Sequence, residues 1–173
     1  MTFSIRAIIR GLVAPKHQLS CPTTVWNEGL AELHRRGGGV RESGAFLVGM
    51  VESGKRYVSR FIYYDDLDPH CLDSGIVVFN GSSYGPLWSL CRETGVEVVA
   101  DIHTHPGVSV QSSVDRENPM VATRGHIALI VPEFARQIVG SSNLGIYQYL
   151  GSHMWQNFSH KQANRFFYIG RWG

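Results

Sequence analysis

Two histidines one residue apart, His103 and His105, stand in the run Asp101-Ile-His-Thr-His-Pro106, and a carboxylate follows in Ser112-Ser-Val-Asp115. Residues i and i+2 of a strand point to the same face, so on an extended backbone the two imidazoles project side by side. A carboxylate arriving from the next element would complete a set of three protein ligands. Three ligands with a fourth position left open is the arrangement of a hydrolytic zinc centre, and the chain reads as a metal-dependent hydrolase. A lone HxH also occurs by chance on surface strands, and buried histidines are often simply hydrogen-bonded. Context favours ligation: the run Val96-Glu-Val-Val-Ala-Asp-Ile-His103 delivers the pair at the end of an apolar strand, and Pro106 turns the chain away. Strand ends are where α/β folds display functional groups.

Ser112-x-x-Asp115 also resembles a capping box at the start of a short helix, although Asp is a less usual partner there than Glu or Gln. Both readings can hold, since a cap at Ser112 would place Asp115 in the first helical turn, facing the histidines. Ser112 would then stand near enough to donate to a developing oxyanion. A hydrolytic metal centre also needs a base. Glu42 opens the segment Ser43-Gly-Ala-Phe-Leu-Val-Gly49, whose residues are almost all apolar or small. It is either a solvated strand end or a general base whose pKa burial would tune.

The elements that must hold these groups are legible as alternating strands and helices. Residues 3–12 read as a first strand, and Ser20-Cys-Pro-Thr-Thr as the capped start of a helix that runs to about Arg36 and stops at Gly37-Gly-Gly. Residues 42–51 and 57–64 read as strands joined by a Glu52-Ser-Gly-Lys hairpin turn. An acidic loop, Asp65-Asp-Leu-Asp-Pro-His, leads to a short strand over residues 76–79 and a second amphipathic helix over residues 84–94. The histidine strand follows, then a short helix from Ser112, strands over residues 125–131 and 144–150, and a last aromatic strand over residues 165–172. Interleaved strands, helices and hairpins predict an α/β (α+β) fold on one mixed sheet.

At 173 residues the chain fits a single domain, residues 1–173, with room for a sizeable core. A net charge of +2 and the lack of a Lys/Arg run argue against a nucleic-acid or membrane-surface partner. Arg35-Arg36 is explained by the dipole at the helix end. The three cysteines, Cys21, Cys71 and Cys91, are odd in number and widely spaced, which suits a reducing cytoplasm better than a disulfide framework. No apolar stretch reaches membrane-spanning length, and Arg6 and Arg10 interrupt the apolar start, so a cytoplasmic location is expected.

Taken together, Glu42-x6-Gly49, His103-Thr-His105-Pro106 and Ser112-x-x-Asp115 resemble the JAMM (MPN-plus) metalloprotease family, whose pattern is an early-strand Glu, then HxHP, then SxxD. The resemblance spans roughly residues 40–131. One departure is the loop between Pro106 and Ser112, which holds one residue fewer than the commonest family pattern. The strict spacing would fall on Ser113 and Arg116, and a guanidinium cannot ligate zinc, so Ser112 and Asp115 are retained. The resemblance implies a curved sheet flanked by helices and one catalytic Zn2+ held by His103, His105 and Asp115, with a water in the fourth position. It implies Glu42 as the base that activates the water, and Ser112 as a group that helps to hold the tetrahedral intermediate. Family enzymes cut after the C-terminal Gly of ubiquitin or a ubiquitin-like protein, and the substrate tail would add along a sheet edge.

The stretches Asp115-Arg-Glu-Asn-Pro-Met120 and Gly125-His-Ile-Ala-Leu-Ile-Val-Pro132 are more similar to the prokaryotic branch of that family. Stand-alone members of that branch accompany bacterial activating and conjugating enzymes for ubiquitin-like proteins, notably in antiphage defence operons. The implied partners are a ubiquitin-like protein, its conjugates and those cognate enzymes, and the implied activity is deconjugation or precursor maturation. Two other readings share the fold: a zinc hydrolase acting on a sulfur-carrier protein or a biosynthetic peptide, and a metal-free MPN scaffold. Scaffold members typically lack a ligand or the Glu, and this sequence lacks neither. His70 reads as a loop residue, Cys71 as a buried thiol and His126 as a satisfied core or edge histidine. His153 and His160 read as packing or exposed residues, and Trp155 and Phe158 as core in preference to an exposed recognition patch.

Overall fold

The computed structural model describes residues 17–173, so the strand expected over residues 3–12 lies outside the described residues. The described residues open with β1 (Leu19–Pro22), α1 (Thr23–Gly37), β2 (Gly44–Glu52), β3 (Lys55–Tyr63) and α2 (Tyr64–Leu67). It continues through α3 (Tyr84–Thr94), β4 (Glu97–Thr104), α4 (Ser113–Glu117) and β5 (Ile127–Val131). It closes with β6 (Gly145–Gly151), β7 (Met154–Asn157), α5 (Ala163–Phe166) and β8 (Phe167–Gly170). Among the described residues eight strands join one curled mixed sheet in the order β7-β6-β5-β4-β2-β3-β1-β8, as the α+β reading expects.

Side-chain alternation along the strands gives the sheet two apolar faces. From β2, Ala45 and Leu47 enter a core with Trp26, Leu30 and Leu33 of α1 and with Ile102, Leu129 and Phe167. From the same strand, Phe46 and Val48 enter a second core with Tyr64, Cys71, and Leu87 and Cys91 of α3. The β2–β3 hairpin turns through Ser53 and Gly54 at φ 51° and 78°, the left-handed pair that a two-residue turn requires. Gly49 sits at a bulge against β3, where a Cβ would lie 1.8 Å from the Tyr57 carbonyl oxygen. The pairing of the strands therefore demands glycine there, independently of any chemistry at Glu42.

Several expected boundaries move. Ser20 and Cys21 do not open α1. They pair in parallel with β8, Ser20 also opposite Tyr57 of β3, and the helix follows Pro22 with no side-chain cap. Residues 76–79 form no strand, because Val77 N–H donates to the Glu42 carboxylate and Val78 N–H to the Cys71 carbonyl, which takes both away from any ladder. The acidic stretch after β3 begins as the one-turn helix α2. Residues 163–166 are helical, with Ala163 and Phe166 turned into the core, so the last strand is confined to Phe167–Gly170. Strand β7, Met154–Asn157, has no counterpart in the sequence reading; its short, half-exposed pattern carries little periodicity. Among the described residues, no helix is long and apolar enough to cross a membrane.

Candidate metal centre

Sheet topology brings the candidate residues together. β2 and β4 are antiparallel with Gly44 opposite His103, and the pairing continues past both strand ends, where Thr104 N–H donates to the Ser43 carbonyl at 2.9 Å. Two residues before Gly44 and two after His103, Glu42 and His105 therefore stand across from each other. Their Oε1 and Nε2 atoms are 4.0 Å apart. Glu42 itself lies just ahead of β2 rather than within it. β4 and β5 run parallel, so the chain between them must cross over, and that crossover, residues 105–126, carries α4 and Asp115 back over the strand ends.

His103 and His105 are buried, and their Nε2 atoms lie 3.0 Å apart. Asp115 presents Oδ1 at 3.4 Å to His103 Nε2 and Oδ2 at 3.3 Å to His105 Nε2. The capping box fixes that carboxylate: Ser112 N–H donates to Asp115 Oδ2 at 2.7 Å, while Asp115 N–H donates to Ser112 Oγ at 3.1 Å. The five-residue loop before Ser112 thus delivers Asp115, with Ser113 and Arg116 on exposed positions of the same short helix. One ligand atom from each of His103, His105 and Asp115 lies within 4.8 Å of the others, and the three can hold a metal ion. Two imidazole nitrogens and a carboxylate oxygen form a donor set that suits zinc.

The electrostatics agree with the geometry. Burial disfavours charge on His103, but the Asp115 carboxylate beside it, with Asp101 and Glu42 farther off, raises its pKa above the ordinary 6.5. Burial likewise works against the Asp115 anion, yet hydrogen bonds from both imidazoles and from Ser112 N–H hold it well below the usual carboxylate range. Glu42 is anchored by one oxygen, Oε2, which accepts from Val77 N–H at 3.3 Å, while Oε1 is the oxygen toward His105. Ser112 is exposed at the helix start, and its oxygen serves the cap.

Three supports were not legible in the sequence. Glu133, Phe134 and Ala135 form a left-handed turn with φ of 52°, 52° and 54°. None of these residue types favours that conformation, which costs roughly 1–2 kcal/mol each. The turn's N–H groups clasp the ligand segment, Phe134 donating to the His105 carbonyl at 2.8 Å and Glu133 to the Gly107 carbonyl at 2.9 Å. Gly44 is the second support: a Cβ there would lie 2.2 Å from the Tyr64 ring, so only glycine lets that ring pack under the histidine strand. The third is a buried group on β4, where Asp101 Oδ1 accepts from His126 Nε2 at 2.6 Å and Oδ2 from the Tyr64 hydroxyl at 3.3 Å. His126 is thus the satisfied core histidine that its apolar strand suggested.

The centre opens into a cavity of about 460 Å3. Glu42, His103 and Asp115 line one end, and Ile76, Val78, Phe79, Tyr84 and Met120 supply apolar walls. Trp155, expected in the core, is instead half-buried at the rim, with its indole N–H donating to the Arg116 carbonyl at 3.1 Å. Phe158 packs on Phe166 but is likewise only half-buried. His70 is exposed and paired with Asp73 at 2.9 Å. Burial first, then nearby acidic groups, push the Cys71 thiol up to about 12, which makes it inert. His153 and His160 are exposed.

No family model matches the chain. A segment of 54 residues is 33% identical to a probable metalloprotease, y4jG, of Sinorhizobium fredii; it amounts to 31% of this chain and 33% of that protein. The match therefore spans about a third of the relative's length and supports a metalloprotease-like relationship over that part. Among solved structures, protein DSY2949 from Desulfitobacterium hafniense superimposes with a TM-score of 0.61 at 15% identity, covering 87% of this chain and 92% of that one. That likeness concerns the fold. A protein from Salinibacter ruber aligns with a TM-score of 0.48 at 18% identity, over 75% of this chain and 84% of the other.

Proposed function

We propose that this protein is a zinc-dependent isopeptidase of the JAMM type, one domain over residues 1–173, that cleaves after the C-terminal glycine of a ubiquitin-like protein. The observation that carries the reading is the convergence of His103 Nε2, His105 Nε2 and the Asp115 carboxylate, with the Glu42 carboxylate 4.0 Å from His105, beside a cavity that Glu42, His103 and Asp115 line. The metalloprotease-like segment match supports the chemistry, and the motif resemblance supports the substrate class. Deconjugation or maturation in a bacterial ubiquitin-like pathway linked to antiphage defence, in the cytoplasm beside cognate activating and conjugating enzymes, follows from that resemblance.

His103, His105 and Asp115 would hold the zinc. Bound there, the ion supplies a Lewis acid that polarises a carbonyl and acidifies water. The protein's own groups do the rest. Val77 N–H holds one Glu42 oxygen and leaves the other toward the ligands, where it takes a proton from the attacking water and returns it to the leaving amine. Ser112, whose oxygen already accepts from Asp115 N–H, has its hydroxyl proton to donate to the oxyanion that develops on the scissile carbonyl. The apolar walls from residues 76–79 and Met120 exclude water from an extended tail lying in the cavity.

The deciding experiment compares metal content and cleavage of a ubiquitin-like fusion in the wild type and in Glu42→Ala. The expected result is about one zinc per chain in both, with turnover in the variant reduced by about 10²–10⁴-fold and wild-type cleavage abolished by chelation. Zinc in both without cleavage of the fusion would remove the ubiquitin-like substrate and turn the reading to a sulfur-carrier protein or peptide. No zinc in carefully handled wild type would overturn the enzyme reading.

A further inference from the structure

A second cleft, of about 640 Å3, shares no lining residue with the first. It lies between α3, the ends of β3 and β4, and the last part of the crossover. Its size falls within the roughly 300–1,000 Å3 typical of small-molecule sites. Three guanidiniums line it, from Arg56, Arg92 and Arg124, against the single carboxylate of Glu97, which leaves two positive charges unbalanced. Among the described residues none of the three forms an ion pair. Arg56 is half-buried, and its charge is opposed by desolvation more than Glu97 restores it.

The positive wall is rigidly built. Arg56 Nη2 donates to the Gly125 carbonyl at 2.9 Å, and that carbonyl also accepts from Gln148 Nε2. The turn that carries Arg124 closes with His126 N–H on the Thr123 carbonyl, is turned by Gly125 at φ +88°, and is tied to β6 by two hydrogen bonds with Tyr149. His126 reaches the cleft from beneath: it is 6% exposed, its Nε2 is committed to Asp101, and its other ring nitrogen has no protein partner among the described residues. Trp88, one turn before Arg92 on α3, also lines the cleft; it is 39% exposed, and its indole lies at 15° to the Tyr84 ring. Nothing in the proposed peptidase chemistry uses these groups.

We infer that this cleft binds a phosphate monoester carrying a flat aromatic body, with the phosphate among Arg56, Arg92 and Arg124 and the ring against Trp88. A phosphate monoester carries about −1.5 to −2 at neutral pH, which matches the two unbalanced positive charges. Guanidinium groups bind phosphate oxygens in pairs, and an indole face takes an offset-stacked ring. The shared requirement is the anion and the ring together; neither half alone fills a site of this size and charge.

The test uses the full-length protein and phenyl phosphate as the probe, followed by calorimetry and by the tryptophan quenching that Trp88→Ala removes, at physiological salt. Saturable binding to one site is expected. Inorganic phosphate and phenol should each bind at least about tenfold more weakly, and Arg56→Gln should weaken phenyl phosphate by at least about tenfold, as loss of a charge-assisted contact does. Arg124→Gln, at an exposed position that cannot compromise folding, should do the same, and Trp88→Ala should remove the advantage of phenyl phosphate over phosphate. Absence of saturation into the millimolar range would overturn the site. So would affinity unchanged in Arg124→Gln, or inorganic phosphate binding as tightly as phenyl phosphate.

Discussion

Two acid–histidine groups each draw a member from β4, Asp101 in one and His103 in the other, and they are assembled in opposite ways. In the inner one, His126 and Asp101 meet at 2.6 Å, and the Tyr64 hydroxyl takes the second carboxylate oxygen. Its atoms point at one another. In the outer one, the nearest imidazole nitrogens face each other at 3.0 Å, and each stands 3.3 or 3.4 Å from an Asp115 oxygen. Those distances are longer than the roughly 2.7–2.9 Å of a strong charge-assisted hydrogen bond, and one ligand atom from each of the three residues lies within 4.8 Å of the others. An aspartate with histidine is therefore structure in one case and a candidate ligand set in the other, although Asp101 and His103 share one strand. What separates them is the spacing of the polar atoms, a direct 2.6 Å contact against a set left 3.0–3.4 Å apart, which composition does not carry.

The variant expected to break this contrast most severely is Asp115→Ala. It removes the carboxylate that both outer histidines face and the acceptor for Ser112 N–H. Metal content should fall from about one per chain to near zero, with all turnover lost, as elemental analysis and a cleavage assay would read. Full metal occupancy in the folded variant would move the ligand role to another residue, Glu42 being nearest to hand. His126→Ala attacks the inner group instead. It leaves one oxygen of the buried Asp101 carboxylate without its hydrogen-bond partner, which should cost about 1–3 kcal/mol in a urea denaturation series, with metal content per folded chain unchanged. Loss of metal from a folded His126→Ala protein would show that the two groups are coupled, and the contrast would fail.

Ser112→Ala probes a residue that belongs to both structure and chemistry. Removing the cap should cost about 1 kcal/mol of stability, and removing an oxyanion donor should lower kcat by about 10²–10³-fold. The expected result is both, with metal retained and KM little changed. A shift in melting temperature with kcat intact would leave Ser112 as a helix cap and nothing more.

The sheet, the helix α1 with its glycine stop, the hairpin and the histidine strand were legible because each is a local pattern: alternation, a 3.6-residue period, or a turn pair. The approach of Glu42 to His105 is not local, but it follows once β2 and β4 pair antiparallel with Gly44 opposite His103. Residues 76–79 misled because four apolar residues read alike whether they join a ladder or cover a carboxylate. Here the Val77 N–H goes to Glu42. The left-handed turn at Glu133–Ala135 was invisible for a different reason. Its residue types oppose its conformation, and it is held by tertiary contacts: the carbonyls of His105 and Gly107, and His34 of α1, whose ring Nδ1 lies 2.9 Å from the Phe134 carbonyl. Arg36 shows the same limit in milder form. Beyond the helix dipole, it binds Glu32, Asp65 and Asp66 and lies over the Tyr63 ring at 4.1 Å, contacts that need α2 folded beside it.

The smallest expected effect is also the one that separates the two groups by sign. A histidine must be neutral to ligate, and the pKa of His103 lies above 6.5 in the metal-free protein because Asp115 favours its charged form. Falling pH should therefore weaken metal binding by up to about tenfold per unit, as a proton competes for the ligand, beginning above 6.5 rather than below it. Asp115, held far below its ordinary 3.8, stays ionised throughout that range and adds no slope. For the metal-free fold the direction reverses. A raised histidine pKa contributes stability that is fully present below the unfolded value of 6.5 and is lost as pH rises through the folded value. A depressed carboxylate contributes stability present above 3.8 and lost only in stronger acid. Chelated protein should thus melt higher between 3.8 and 6.5 than in mild alkali, over the very interval in which the metal-loaded protein loses its ion. A metal dissociation constant that stays flat until the pH has dropped below 6.5 would remove Asp115 as the partner of His103.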